Sequence, residues 1–240
     1  IDRWVKDGGV VYLSAGAATR DEYDSPFTPA FSRLVWGGYP AGDVKHQNST
    51  YNERTVLPGI EPITNVRINL NDRSFRLPVI GVRASLNRNF DTFATFADGR
   101  PAGKVFTYGL GKVFALGFMP GLAYGKLAGF QPRTLEEQWK PAPRELVKYP
   151  LKLAKVSPKA GSNVPVVETS YLEGPSGSAV VLANYTYKPI DSLELRIRTD
   201  KDFSRFTSAE GANVEKLGYE NGTLRIRVPL GWTDIITLEE

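Results

Sequence analysis

From Val66 to Met119 the chain alternates apolar and polar residues in short runs: VRINLN, SFRLPVIGVRASL, FDTFATFA, AGKVFTYG and KVFALGFM. The separators are NDR, NRN, DGRP and LG, so period-two segments joined by turn residues predict a set of antiparallel hairpins. Within this stretch Asp98-Gly99 and Gly109-Leu110-Gly111-Lys112 supply residues suited to positive φ, and they read as turns. A second alternating region follows, with VVETSYLEG, SAVVLANYTY, SLELRIRTD, FSRFTSAEG, VEKLGYENG, TLRIRVPLG and TDIITLEE spaced about ten residues apart. Its turn signals include Glu220-Asn221-Gly222, it holds no helical pattern, and it predicts a β-sandwich.

The first sixty residues have a different texture. IDRWVKDGG reads as an amphipathic helix with Ile1, Trp4 and Val5 on one side and Gly8 and Gly9 as its stop. Val10 to Ala15 is an unbroken, β-branched apolar run of strand length, which predicts a buried parallel strand. A helix leading into such a strand indicates an α/β sheet. Phe27 to Pro62 is punctuated by Pro and Gly, consistent with a short helix and long connections. Arg133 to Ala154 carries helix formers broken by Pro141, Pro143 and Pro150, and the polar joint VSPKAGSNVP then marks a domain boundary. The opening without Met or signal peptide leads to the expectation of a piece of a longer protein.

At 240 residues the chain accommodates two ordinary domains, and 41% hydrophobic with 23% charged residues describes a globular protein. No apolar run approaches the roughly 20 residues that span a bilayer, so no membrane segment is expected. The net charge of +4 is dispersed, and the basic stretches Arg144 to Lys159 and Arg196 to Arg205 are interrupted by acids and apolar residues. Nucleic acid is therefore not an expected partner, because that reading needs a one-signed stripe or a recognised motif. The absence of Cys excludes disulfides, thiolate nucleophiles and sulfur-ligated metals, and it suits an exported protein as well as a cytosolic one.

Chemistry is sparse. The loop RDEYD after the apolar strand is the best candidate for ligand binding, through Arg20, Asp21, Glu22 and Tyr23, because α/β folds place ligands at the ends of such strands. Two carboxylates there could do acid-base or glycosidase work. The competing and favoured reading is that Asp21 caps a helix or turn and Arg20 pairs with a neighbour. His46 is the single histidine, and no G-x-S-x-G nucleophile elbow accompanies it. PGLAYGKL mimics a phosphate loop but has Pro120 where the first Gly belongs and Leu127 where the hydroxyl belongs. No catalytic residue, metal or cofactor is assigned. Tyr171, Tyr185, Tyr187 and Trp232 could stack on sugar rings, although aromatics at strand spacing are more often core or cross-strand pairs.

At WVKDGGVVYLSAGAATRDEYDSP, FATFADGRPAGKVFTYGLGKVFALGFMPGLAY and VVETSYLEGPSGSAVVLANYT the chain resembles a bacterial group of large carbohydrate-associated proteins. These carry a glutamine-amidotransferase-like α/β domain, related to the trimerisation domain of family 42 beta-galactosidases, followed by a β-sandwich. The resemblance leaves Tyr39 to Asn65 uncovered. It implies a partial flavodoxin-like sheet with added β-hairpins over residues 1–154, lacking its first βα units, and an all-β sandwich over 160–240. Amidotransferases of the wider superfamily use a Cys nucleophile, and with no Cys here the resemblance implies a degenerate, noncatalytic domain. Three functional readings follow: an accessory or assembly region of a larger glycan-processing protein, a hydrolase using Asp21 and Glu22, and a carbohydrate-binding module. The partners expected are the remainder of a parent chain or a second copy, with carbohydrate as a further candidate.

Overall fold

The computed structural model describes residues 1–15, 17, 21, 23, 25, 30–37, 45–46, 60–88, 91–129, 137, 141–175 and 177–240. By its internal contacts the chain divides into two units, Ile1–Phe130 with Lys140–Val156, and Gln131–Trp139 with Ser157–Glu240.

The first unit is a mixed six-stranded sheet with helices. Helix α1 (Asp2–Lys6) leads into β1 (Val10–Ser14), and α2 (Ala30–Trp36) and the two-residue strand β2 (Lys45–His46) follow. The hairpin region forms β3 (Thr64–Leu70), β4 (Arg73–Val79), β5 (Val82–Arg83), β6 (Thr92–Phe96), β7 (Pro101–Tyr108) and β8 (Gly111–Leu116). Helices α3 (Pro120–Leu127) and α4 (Pro141–Leu153) close the unit. The sheet order is β1-β8-β7-β6-β3-β4, with β1 parallel to β8 and every other pair antiparallel.

Alternation along β8 assigns its side chains to two cores. Phe114 and Leu116 join Val66, Ile68, Leu77 and Phe96 beneath Ala123 of α3 and Leu146 of α4. Val113 and Ala115 join Leu13, Phe106, Val5 of α1 and Val35 and Trp36 of α2. Both faces of β8 are therefore covered, as expected where helices flank a sheet. On β3 the intervening Asn65, Arg67 and Asn69 are exposed, so that end of the sheet has one wet face.

Turn chemistry follows the sequence closely. Asn71 and Asp72 both have positive φ between β3 and β4, the signature of a two-residue hairpin turn whose twist matches the strands. Gly99 (φ +79) and Gly109 (φ +65) turn the chain between β6 and β7 and between β7 and β8. Gly111 differs from expectation: its φ is not positive, and it opens β8 beneath α1. A Cβ there would lie 2.0 Å from the Val5 carbonyl oxygen and 2.2 Å from that of Gly9.

Three further expectations are corrected. Of the three residues assigned to the buried face of α1, only Val5 is buried, while Ile1 and Trp4 are exposed. Trp4 instead lies against Gly9, where a Cβ would fall 2.4 Å from the indole. The run beginning at Val10 pairs in parallel as expected, but at the sheet edge, and of its five strand residues only Leu13 is buried. Residues 141–153 form one continuous helix: Pro141 and Pro143 fall in its first turn, where backbone N–H groups have no intrahelical acceptor, and Pro150 is accommodated inside it. PGLAYGKL, already set apart from a phosphate loop by Pro120 and Leu127, forms α3, a helix with Pro at its start.

The second unit is a sandwich of two antiparallel four-stranded sheets. Its strands are β9 (Ala160–Ser162), β10 (Val167–Gly174), β11 (Gly177–Asn184), β12 (Ile190–Arg198), β13 (Arg205–Ser208), β14 (Glu215–Glu220), β15 (Thr223–Leu230) and β16 (Thr233–Glu239). The sheets have orders β10-β11-β16-β13 and β14-β15-β12-β9. Val180, Leu182, Ile236 and Leu238 of one meet Leu193, Leu195, Ile197, Leu224, Ile226 and Val228 of the other. The outer face of the second sheet carries an ion network in which Glu194 accepts from Arg225 and Arg227, and Arg227 also reaches Glu215.

Candidate functional site

The loop after β1 is anchored at its start. The Ala15 N–H extends the parallel ladder to the Leu116 carbonyl, the Ala17 N–H bonds Ser14, and the indole N–H of Trp36 donates to the Ala17 carbonyl at 3.0 Å. Of the four predicted site residues, Asp21 and Tyr23 are described, whereas Arg20 and Glu22 lie outside the described residues. Asp21 Oδ1 accepts the N–H of Tyr23 at 3.0 Å and that of Ser25 at 2.8 Å, and the Asp21 N–H donates to the Ser25 carbonyl. A carboxylate receiving two backbone donors from residues two and four positions on braces its own turn. Tyr23 is 81% exposed. His46 lies on β2, which pairs with β5 through Val82.

Two buried cations of the first unit escaped sequence reasoning. Arg83 is 4% exposed, its Nη2 lies 2.6 Å from Asp98 Oδ2, and its guanidinium sits 4.3 Å from the Phe96 ring centroid. Burial opposes ionisation of Asp98, but the hydrogen bonds from Arg83 and from the Arg100 N–H prevail and hold its carboxyl below the ordinary value. Lys104 on β7 is fully buried and donates to the Asn87 carbonyl. Burial lowers its pKa, with the nearby Asp91 carboxylate acting in the opposite sense.

The aromatics of the second unit separate into two groups. Tyr171 is half-buried, and its hydroxyl donates to Ser178 Oγ at 3.0 Å while Lys159 Nζ lies 5.2 Å from its ring. Tyr185, Tyr187 and Trp232 are exposed, on the loops that join β11 to β12 and β15 to β16. Between those loops sits Asn184, 4% exposed. Its Nδ2 donates to the carbonyls of Lys188 and Gly231, and its Oδ1 accepts from the N–H and hydroxyl of Thr186. Its backbone N–H donates to the Trp232 carbonyl at 2.7 Å. Alternation in LANYTY marks an inward position at Asn184, but nothing in that pattern indicates that an amide there ties two loops together.

No protein-family model matches this chain. No curated protein matches it in sequence. Solved structures match in fold. Gan42B, a GH42 beta-galactosidase from G. stearothermophilus, aligns over 100% of this chain and 29% of its own, at 14% identity and TM-score 0.53. A beta-galactosidase from Bacillus circulans sp. alkalophilus aligns over 99% and 30%, at 12% identity and TM-score 0.56. Alpha-L-fucosidase isoenzyme 2 from Paenibacillus thiaminolyticus aligns over 99% and 38%, at 11% identity and TM-score 0.51. At these identities the likeness is one of fold. The chain thus spans about a third of the length of the glycoside hydrolases it resembles.

Proposed function

We propose that this chain is a noncatalytic accessory or assembly region of a larger glycan-processing protein, its first unit akin to the trimerisation domain of family 42 beta-galactosidases. The observation that carries the reading is the edge of β1 with which no described strand pairs. In its ladder the Lys112 N–H donates to the Gly9 carbonyl and the Ala15 N–H to the Leu116 carbonyl, so odd-numbered residues of β1 face β8. The N–H and C=O groups of Val10, Tyr12 and Ser14 therefore point away from the sheet, and no strand among the described residues pairs with them. An apolar edge without Pro, Lys or a bulge is a template for another strand. A second copy, or another segment of the parent, is the partner that such an edge fits. The match to about a third of several glycoside hydrolases supports a role within a larger assembly.

The reading of Asp21 and Glu22 as a hydrolase pair receives less support, since one oxygen of the Asp21 carboxylate is already engaged by two backbone donors. Assembly is tested by sedimentation across a concentration range together with amide hydrogen exchange. A partner on the edge gives a mass above 26.5 kDa and slow exchange at Tyr12 and Ser14 as well as at Val11 and Leu13. A chain that stays monomeric, with Tyr12 and Ser14 exchanging freely beside protected odd-numbered neighbours, overturns pairing with a second copy, and no rise in melting temperature when neighbouring segments of the parent are added as separate polypeptides overturns the assembly reading altogether.

A further inference from the structure

We infer that Trp232 and Tyr187 form a stacking shelf for one pyranose ring of a neutral glycan. The glycan chemistry rests on the reading above that the parent protein processes glycans; the shelf itself rests on the geometry of these loops. The two rings stand 6.1 Å apart at 87°, and they are 61% and 57% exposed. Tyr185, two residues earlier in the same loop, is exposed as well.

These rings are positioned by the backbone beneath them. Asn184 joins both loops, reaching Lys188 on one side and Gly231 and Trp232 on the other. Thr186 bonds both Asn184 and the Lys188 carbonyl, turning its polar side chain inward between the two outward tyrosines. Tyr187 itself has φ +61, a conformation that a bulky residue holds only when its surroundings impose it. A fully satisfied buried amide network is rigid, and rigid presentation lowers the ordering cost of binding.

The ligand class follows from the ring faces. An aromatic face carries negative charge density and attracts the weakly positive C–H groups on one face of a sugar ring, an attraction that needs no charge on the sugar. Because the rings are perpendicular, a pyranose lying flat on the indole meets the tyrosine as a side wall, and the phenol hydroxyl is available to a sugar hydroxyl. One pyranose on one indole fills such a corner. A stable protein interface asks for about 800 Å² per partner, whereas two aromatic side chains supply about 150–250 Å² each at full burial.

The test is affinity electrophoresis of the full chain through gels containing beta-1,4-galactan, beta-1,4-mannan or hydroxyethylcellulose. Retardation in at least one gel is expected, with Kd raised about tenfold by Trp232→Ala and severalfold by Tyr187→Ala, and largely retained by Trp232→Phe, which keeps an aromatic face. Melting temperatures of the variants report that the fold is intact. No retardation of the parent chain in any gel, or retardation undiminished in a folded Trp232→Ala chain, overturns the shelf. Loss of self-association in Trp232→Ala without polysaccharide binding overturns it in favour of a protein contact. Exchange at Tyr12 and Ser14 reports separately on assembly, so a failed shelf beside a covered β1 edge leaves the assembly reading standing, and a working shelf beside an open edge does the reverse.

Discussion

Arg83 at the end of β5 and Asp98 meet at 2.6 Å, a guanidinium 4% exposed against a carboxylate 45% exposed. Asp98 belongs to the hairpin turn between β6 and β7, and it also accepts the Arg100 N–H at 3.2 Å. One side chain thus shapes its own turn and neutralises a cation that the fold has taken out of water, against the face of Phe96. The pairing gives Asp98 a lowered folded pKa, so its contribution to stability is present above the unfolded carboxylate value of about 3.9 and disappears as pH falls through the lower folded value.

Asp98→Asn should therefore destabilise the chain by about 1 kcal/mol at neutral pH, near the top of the range for surface ion pairs because one partner is buried. As pH falls through the lowered folded value the variant and the parent should converge. Thermal melts at pH 7 and through the acid range measure both. A deficit that stays unchanged to the acid end of that range would mean that shape rather than charge matters at this turn.

Gly99 and Gly111 should respond differently to the same substitution. At Gly99 a Cβ meets open space and only the positive φ is strained, so Gly99→Ala should cost about 1 kcal/mol, a fall of about 2–4 °C in melting temperature. At Gly111 the Cβ collides with two backbone carbonyls of the α1 region, which cannot rotate away as a side chain could. Gly111→Ala should cost clearly more, on the order of 2–3 kcal/mol, by lifting α1 from β8. Equal losses at the two positions would sink the distinction between a turn glycine and a close-approach glycine.

That distinction also separates what was legible in the sequence from what was not. Hairpins between Val66 and Leu116 and strands beyond Val167 were readable because alternation and turn residues are local signals, and Asn71-Asp72 and Gly99 take the backbone conformations their residue types suggest. The close approach at Gly111 depends on a helix about 105 residues earlier in the chain, and no local pattern encodes it. The edge position of β1 is similar: an apolar run promises burial, but burial depends on how many strands pair with it, and the one partner among the described residues lies about 100 residues away. Trp4 looked like a core residue by helical spacing, yet α1 is only five residues long and has room to bury Val5 alone. In the second unit the exposed aromatics were visible as residues, whereas the buried amide that holds their loops was not.

Asp21 yields a prediction about chemistry. With its Oδ1 occupied by the N–H groups of Tyr23 and Ser25, it should act as a turn brace. The chain should show no turnover of a panel of aryl glycosides, and Asp21→Asn should cost roughly 0.5–1 kcal/mol, because an amide oxygen can still accept both donors without the charge. Turnover that is lost on Asp21→Asn or Glu22→Gln would restore the hydrolase reading.

Asn184 should be the most sensitive polar position of the second unit. Its side chain makes four hydrogen bonds at 4% exposure, to Lys188, Gly231 and twice to Thr186, so truncation strands several buried backbone and hydroxyl groups at once. Asn184→Ala should cost about 2–4 kcal/mol, within the range for breaking a buried network. Asn184→Asp should be comparably damaging, because a carboxylate keeps the acceptor side toward Thr186 but turns an acceptor toward the two carbonyls that need a donor. The Asp variant should also recover stability as pH falls from the folded value that burial raises toward the unfolded carboxylate value of about 3.9, because the protonated carboxyl regains one donor, opposite in sign to the acid response of Asp98. Thr186→Val removes only one member and should cost less than either. If Asn184→Ala melts within 2 °C of the parent, the two loops are held by something other than this amide, and the fixed geometry of Tyr187 and Trp232 loses its physical basis.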